Sequence, residues 1–144
     1  GSVSVMEEFA ARTVDLFDAL TNSNKVAAYT RCSDTLLEPR QGGRIAWFNG
    51  HITGGIEQYH PPEYLQMRLR MASWPAGHFS TVKIFVKDNG AHQGCRLELH
   101  QEGVPQSRVQ ETETFWKEKV LNQIKLSFGY GPVTNSAKQL FSGI

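Results

Sequence analysis

The chain has 144 residues, of which 40% are hydrophobic and 20% are charged, and its formal net charge is +1. This length suits one domain with a sizeable core, and no apolar run approaches the roughly 20 residues of a membrane-spanning helix. Because basic and acidic residues are balanced, the composition predicts neither nucleic acid nor a membrane surface as partner. Cys32 and Cys95 are expected to be free thiols in a reducing compartment.

The first part of the chain predicts one strand followed by two short helices. Residues 3–9 are rich in strand formers, and apolar side chains alternate among them. Thr13 is expected to cap the first helix, and Asn22 or Ser23 the second. The two helices are joined so tightly that they are predicted to form an elbow.

Between Thr35 and Gln101 hydrophobic residues alternate with polar ones, as in strands that bury one face. Asn49-Gly50 is a strong hairpin signal because both residues tolerate positive φ, and Gly54-Gly55 is expected to mark a bulge or bend. Short turns cannot support parallel crossovers, so the strands are predicted to form an antiparallel meander. The predicted strands cover residues 45–48, 52–59, 64–71, 81–87 and 95–100.

After Pro105 the hydrophobic period changes to that of a helix. No glycine or proline occurs from 107 to 127, so one continuous helix of some 30 Å is predicted, ending at Gly129. Its buried stripe is predicted to hold Val109, Trp116, Val120, Ile124 and Phe128. Its solvated outer face is predicted to hold Lys117, Glu118 and Lys125. The tail, residues 132–144, is expected to be partly disordered, although Leu140, Phe141 and Ile144 are apolar enough to dock.

This order of elements predicts an α+β fold. An antiparallel sheet with one solvated face needs a cover for its apolar face, and a long amphipathic helix supplies it. The expected architecture is therefore the helix-grip fold: a curved antiparallel sheet of six to seven strands, with two short helices, wrapped around one long C-terminal helix. The domain is expected to span residues 3–131, and Gly1-Ser2 is interpreted as a cloning remnant.

No catalytic or metal-binding constellation stands out in the sequence. The chain lacks the G-x-S-x-G, G-x-x-x-x-G-K-[ST], H-E-x-x-H and C-x-x-C motifs, and its five histidines are scattered. We therefore expect no enzymatic activity, no metal ion and no cofactor. Four large side chains are expected to fill the core, with the lining of an internal apolar cavity as the alternative. These are Trp47, Met67, Met71 and Trp116.

The segment 73–79, Ser-Trp-Pro-Ala-Gly-His-Phe, lies between two predicted strands and is not explained by the fold alone. Pro75 and Gly77 supply turn residues, but a hairpin connection needs no aromatic residue on either side. In one interpretation, Trp74 and Phe79 fold back and plug one end of the sheet. In the other, the segment is a recognition loop whose aromatic residues supply rigid contact area.

The same segment is similar to the S-W-P-x-G-H-F segment of the activator-of-Hsp90-ATPase C-terminal domain family, within the START/Bet v 1-like helix-grip superfamily. The similarity also covers Gly42-Gly43, Gly50-x-x-x-Gly54, Trp116 and the Phe-Gly-Tyr-Gly run at 128–131. It extends over residues 3–131, nearly the whole chain.

The resemblance implies a co-chaperone domain that contacts the N-terminal ATPase domains of the Hsp90 dimer and raises ATP hydrolysis by favouring the closed state. It implies a cytoplasmic protein without catalytic groups, and we expect a monomer that binds Hsp90 but stimulates it poorly alone. If the loop is exposed, the expected contact residues are Trp74, Pro75, Gly77, His78 and Phe79. The alternative function is binding of a small apolar ligand, as in other helix-grip proteins.

Overall fold

The computed structural model describes residues 1–133, which form one antiparallel sheet, two short helices and a long C-terminal helix. The strands are β1 (Ser2–Phe9), β2 (Leu36–Leu37), β3 (Arg44–Trp47), β4 (Ile52–His60), β5 (Tyr64–Met71), β6 (Ser80–Asp88) and β7 (Cys95–Glu102). The short helices are α1 (Thr13–Thr21) and α2 (Ser23–Thr30). The C-terminal helix consists of a 3₁₀ turn (Gln106–Arg108), α3 (Val109–Thr114), a π-helical segment (Phe115–Leu121) and α4 (Asn122–Phe128).

The sheet has the order β1-β7-β6-β5-β4-β3-β2, so the first strand of the chain pairs with the last. All neighbouring strands are antiparallel. The predicted helix-grip architecture is therefore confirmed, with seven strands in the described part of the chain. The pairing of β1 with β7 is a long-range contact that no local sequence pattern predicts.

The alternation of the sequence decides which face of each strand is buried. In β5, Leu65, Met67 and Leu69 are buried whereas Arg68 between them is exposed. Strand β6 repeats the pattern with Val82, and every buried side chain points toward the helix layer. The opposite face of the sheet carries most of the charged residues of the same strands, whereas Glu7, Ser80 and Gln101 are polar residues on the helix-facing side.

Glycine is required at Gly54 by the close approach of the neighbouring strand. A Cβ atom at this position would collide with the backbone carbonyl oxygen of Arg68 in β5. The bulge expected at Gly54-Gly55 lies slightly later, since the register shifts between Ile56 and Gln58. The predicted hairpin at Asn49 is confirmed, but its turn comprises four residues, 48–51.

The two short helices begin and end close to where the sequence predicted. Asn22 caps α2, because its side-chain oxygen accepts hydrogen bonds from the amides of Asn24 and Lys25. Thr13 is the first residue of α1 and not its cap. The cap position belongs to Arg12, whose side chain makes no capping hydrogen bond.

The C-terminal helix departs from the predicted regular α-helix in its middle. A π-helical segment places residue i+5 where i+4 would otherwise stand, so Leu121 follows Trp116 on the buried side. Lys125 then follows Leu121 and is 3% exposed. The prediction that Lys125 lies on the solvated outer face was wrong for this reason, whereas Lys117 and Glu118 are exposed as predicted.

Lys125 is held in a buried ion pair between the helix and β1. Its Nζ atom lies 2.6 Å from Oε1 of Glu7 and donates to the carbonyl of Pro132 at 3.1 Å. The same ammonium lies 5.1 Å from the centre of the Phe9 ring. These contacts fasten the end of the C-terminal helix to the edge of the sheet.

Separate predictions concern the first two residues of the chain and its C-terminal tail. Ser2 pairs with Glu102 in the sheet, and the amino group of Gly1 donates to the carbonyl of Val104 at 2.5 Å. That Gly1 and Ser2 are a cloning remnant stays a prediction. The predictions on the tail beyond residue 133, including the docking of Leu140, Phe141 and Ile144, lie outside the described residues.

Candidate functional site

The connection from β5 to β6, residues 72–79, is built around a buried tryptophan. Trp74 is 4% exposed and belongs to the hydrophobic core. Its amide donates to the carbonyl of Met71 at 3.0 Å, which begins the turn. The indole ring meets His78 edge to face, with 5.9 Å between the ring centres. Trp74 therefore supports the loop from the core side. Pro75, Ala76 and Gly77 are exposed and form the outermost part of the loop, here called the crest.

Arg70 and His78 hold the two sides of this crest. The Nη2 atom of Arg70 donates to the carbonyls of Trp74 and Pro75, at 2.9 and 3.2 Å. On the other side, Nε2 of His78 donates to the carbonyl of Gly103 at 2.7 Å. Backbone carbonyls held in this way fix the path of the loop. The crest is thus a preformed structure.

Phe79 lies on the solvent-facing side of the sheet, where it is half-buried. The guanidinium of Arg68 stacks over its ring at 3.7 Å from the ring centre, within the range of a cation–π interaction. Of the two aromatic residues that frame the loop, Trp74 thus packs into the core and Phe79 packs under an arginine. Neither ring stands free above the crest.

The four residues expected in the core or at a cavity lie in the core. They are Trp47, Met67, Met71 and Trp116, each at most 6% exposed. The rings of Trp47 and Trp116 meet edge to face, with 6.3 Å between centres. The surface depressions at β1, at the turn after β6 and around Gly54 are lined by other residues. That these four residues line an internal cavity stays a prediction.

A chain of buried hydrogen bonds connects this core to the base of the loop. The indole N–H of Trp116 donates to Oε1 of Gln101 at 2.7 Å. The amide nitrogen of Gln101 donates to the hydroxyl of Ser80 at 2.8 Å. Ser80 in turn donates to the carbonyl of Leu69 at 2.8 Å. Ser80 directly follows Phe79, so these hydrogen bonds fix the C-terminal helix, β7 and β6 relative to the loop.

Groups with perturbed pKa values lie away from the loop, and each has a structural cause. The ion pair and backbone hydrogen bond with Arg44 lower the pKa of Glu38 to about 2. Burial raises the pKa of the Cys95 thiol to about 11, and Cys32 is also a free thiol. Among residues 1–133, His, Cys, Asp and Glu form no group of three placed to hold a metal ion.

Sequence reasoning missed the supporting residues of the loop. The alternation in the predicted strand 64–71 places Arg70 on the solvated face, and nothing in its spacing indicates that its side chain reaches two carbonyls. The bond from His78 to Gly103 joins residues 25 positions apart. Only the position of both residues at a glycine- and proline-containing loop indicated such contacts.

In the described part of the chain no helix is both long and apolar enough to cross a membrane.

A curved sheet around a C-terminal helix, with two short helices after the first strand, defines the helix-grip class. The fold resembles an HSP90 activator from Plasmodium falciparum, with a TM-score of 0.84, 23% identity, and coverage of 90% of this chain and 97% of that one. It also resembles CalU16 from Micromonospora echinospora, with a TM-score of 0.74, 18% identity, and coverage of 99% and 82%. These similarities establish the fold.

Within that class, the chain belongs to the family described as activator of Hsp90 ATPase homolog 1-like protein, whose profile matches residues 10–129. It is 29% identical over 130 residues to the human activator of 90 kDa heat shock protein ATPase homolog 1, covering 90% of this chain and 37% of that protein. It is 30% identical over 129 residues to the homologous activator of Dictyostelium discoideum, covering 90% and 33%. The chain thus spans about a third of the length of these relatives.

Proposed function

We propose that this chain is a co-chaperone domain that binds the N-terminal region of the Hsp90 dimer and favours its closed state. Family membership over residues 10–129 supports Hsp90 as the partner. The observation that carries the proposal is the preformed crest, held by Trp74 from below and by Arg70 and His78 at its sides. A partner that binds the closed state better than the open state raises the closed fraction, and hydrolysis with it.

The crest suits a binding role because its conformation is already fixed. Ordering a loop on binding costs free energy, and a loop held by hydrogen bonds in the free protein avoids much of that cost. We assign the contact to Pro75 and Gly77, with His78 and Phe79 at the margin. Trp74 takes part as the support that positions them. Gly77, at φ +74, has nothing within 4 Å of the site of a Cβ atom, so its backbone is open to a partner.

Under this proposal the catalytic groups belong to Hsp90, and this chain contributes none. We propose a cytoplasmic monomer, in keeping with its two free cysteines. A domain that spans about a third of the full-length activators is expected to stimulate poorly alone. A second binding domain joined to it would raise its effective concentration at Hsp90 and with it the affinity.

The proposal is tested by titrating Hsp90 into the isotope-labelled chain and following its amide NMR signals, with and without a non-hydrolysable ATP analogue. We expect shifts centred on residues 75–79 that are larger with the analogue. Ala76→Glu at the crest is expected to weaken binding about tenfold, since it places a charge in the contact. Ala91→Glu, at an exposed turn on the opposite end of the sheet, is the matched control. Unchanged signals in both nucleotide states would disprove the proposed function.

A further inference from the structure

Three connecting segments meet at the end of the sheet where the crest lies. They are the β3–β4 turn (48–51), the β5–β6 loop (72–79) and the connection from β7 into the C-terminal helix (103–107), here called together the neutral end. The amide of Ala72 donates to the carbonyl of His51 at 2.7 Å, which joins the turn to the loop. His78 joins the loop to Gly103 at 2.7 Å. The three segments are thus hydrogen-bonded in series into one surface.

The three segments of the neutral end contain no aspartate, glutamate, lysine or arginine, although these residues make up 20% of the chain. Two cations from outside the segments reach this surface, and each donates to its backbone carbonyls: the guanidinium of Arg70 to Trp74 and Pro75, and the amino group of Gly1 to Val104. Apart from the turn 89–94, the connections at the opposite end of the sheet differ in this respect. They carry Arg12 before α1, Glu38 and Arg40 before β3, and Glu63 before β5. Charged side chains favour solubility, so three neighbouring segments that all lack them form an unusual solvated end.

Much of the neutral end is nevertheless exposed to solvent. Asn49, His51, Pro75, Gly77 and Gln106 are exposed, and they come from all three segments. Depletion of charged residues is the compositional mark of the core of a protein–protein interface. An exposed surface of this composition therefore fits contact with another protein better than contact with water alone.

The backbone of the turn provides an independent observation. Phe48 has φ +53, a conformation that is rare for a bulky side chain and costs about 1–3 kcal/mol. Its ring meets Phe115 of the C-terminal helix edge to face, with 5.3 Å between centres. Such strained residues cluster at binding and switch sites. The contact with Phe115 fixes the turn, and Asn49 and His51 stand exposed beyond it.

We infer that the neutral end is one docking surface, and that it binds an uncharged patch of the partner protein. The inference rests on the proposed function, with Hsp90 as occupant, and extends the contact from the crest to Asn49, His51 and Gln106. An uncharged partner surface would be desolvated against segments whose own side chains carry no charge, while the nearby cations of Arg70 and Gly1 keep their carbonyl partners. A charge introduced on the partner-facing side of these residues is then buried in the contact, which is strongly unfavourable where no counterion lies beside it.

The test introduces charges of both signs at an exposed residue outside the crest. Gln106→Glu and Gln106→Lys keep the length and much of the shape of the side chain, and Asn49→Asp does the same on the turn. Gln93→Glu and Gln93→Lys, at the exposed turn between β6 and β7, are the matched controls. Binding to full-length Hsp90 with a non-hydrolysable ATP analogue is measured by calorimetry, and the fold of each variant is checked by its melting temperature.

We expect all three substitutions at the neutral end to weaken binding about tenfold at unchanged melting temperature, and both controls to bind like the wild type. Binding that either sign at Gln106 strengthens would overturn the inference, because the partner patch would then be charged. Wild-type affinity in all three variants would also overturn the inference. The proposed function would still be supported in that case if Ala76→Glu weakened binding. Self-association that these variants abolish without affecting Hsp90 would assign the surface to a second copy of the chain and overturn the inference. An absence of wild-type binding would disprove the proposed function and the inference together.

Discussion

Replacing Lys125 with methionine tests whether the buried ion pair fastens the C-terminal helix to the sheet. The substitution keeps most of the side-chain volume but removes the ammonium that lies 2.6 Å from the Glu7 carboxylate. The side chains of Lys125 and Glu7 are 2% and 10% exposed, so water reaches the pair poorly. The carboxylate would lose its cation while remaining in the interior.

The expected cost follows from the burial of the pair. Removing one partner of a buried pair costs about 3–5 kcal/mol, and the residual exposure of Glu7 together with the packing of the methionine reduces this to about 2–3 kcal/mol. For 144 residues, an unfolding entropy of about 2.1 cal/mol/K per residue converts that loss into a fall of about 7–10 °C in the melting temperature. Removing both charges with Glu7→Gln and Lys125→Met is expected to recover at least about 1 kcal/mol.

The free energy of unfolding is measured by urea denaturation with tryptophan fluorescence, and the melting temperature by calorimetry. Lys117→Met is the matched control, because Lys117 lies 4.0 Å from Glu113 in a pair whose side chains are 47% and 37% exposed. An exposed pair of this kind contributes about 0.5 kcal/mol or less. If Lys125→Met costs no more than Lys117→Met, the ion pair does not fasten the helix and the reasoning fails.

Three further measurements address the core and the titrating groups. Trp116→Phe removes the indole N–H that donates to Gln101 and leaves a buried amide oxygen unsatisfied, so urea denaturation should show a loss of about 1–3 kcal/mol. The carboxyl of Glu38 should titrate near pH 2 by NMR, because the side chain and the amide of Arg44 hold it as a carboxylate. Its stabilising effect is therefore present above pH 4.5 and is lost as the pH falls toward 2, and Arg44→Gln, which keeps the amide donor, should raise the pKa part of the way back. Burial raises the pKa of Cys95 to about 11, so iodoacetamide at pH 8 should modify this thiol only after unfolding.

The sheet could be predicted from the sequence because burial on one face imposes a period of two. Strand β5 shows this clearly, with Leu65, Met67 and Leu69 buried and Arg68 exposed. The cap at Asn22 could be predicted for a similar reason, since the capping interaction is local. The position of β1 beside β7 could not be predicted, because it joins residues about 90 positions apart.

The C-terminal helix shows where a periodic pattern misleads. An α-helical period places Lys125 about 100° from Ile124 and toward solvent, as the sequence reading assumed. The π-helical segment inserts one residue into the turn after Trp116, and this rotates Lys125 onto the buried side. Without the structure, a lysine one position from the apolar stripe is indistinguishable from a solvated one. The alternation of Val3, Val5 and Phe9 places Glu7 on the buried face of β1, but no local pattern indicates its partner 118 positions away.

The loop at 72–79 shows why the sequence left two interpretations open, because it contains both a buried ring and an exposed crest. The indole of Trp74 packs into the core, as a plug would, whereas Pro75 to Gly77 stand exposed, as a recognition loop requires. The two roles depend on each other, because the crest is held in place through the buried ring and the Arg70 hydrogen bonds. A change at Trp74 should therefore lower stability and Hsp90 binding together. A change at Ala76 should lower binding alone, and this difference would separate the residue proposed to position the contact from the residues proposed to make it.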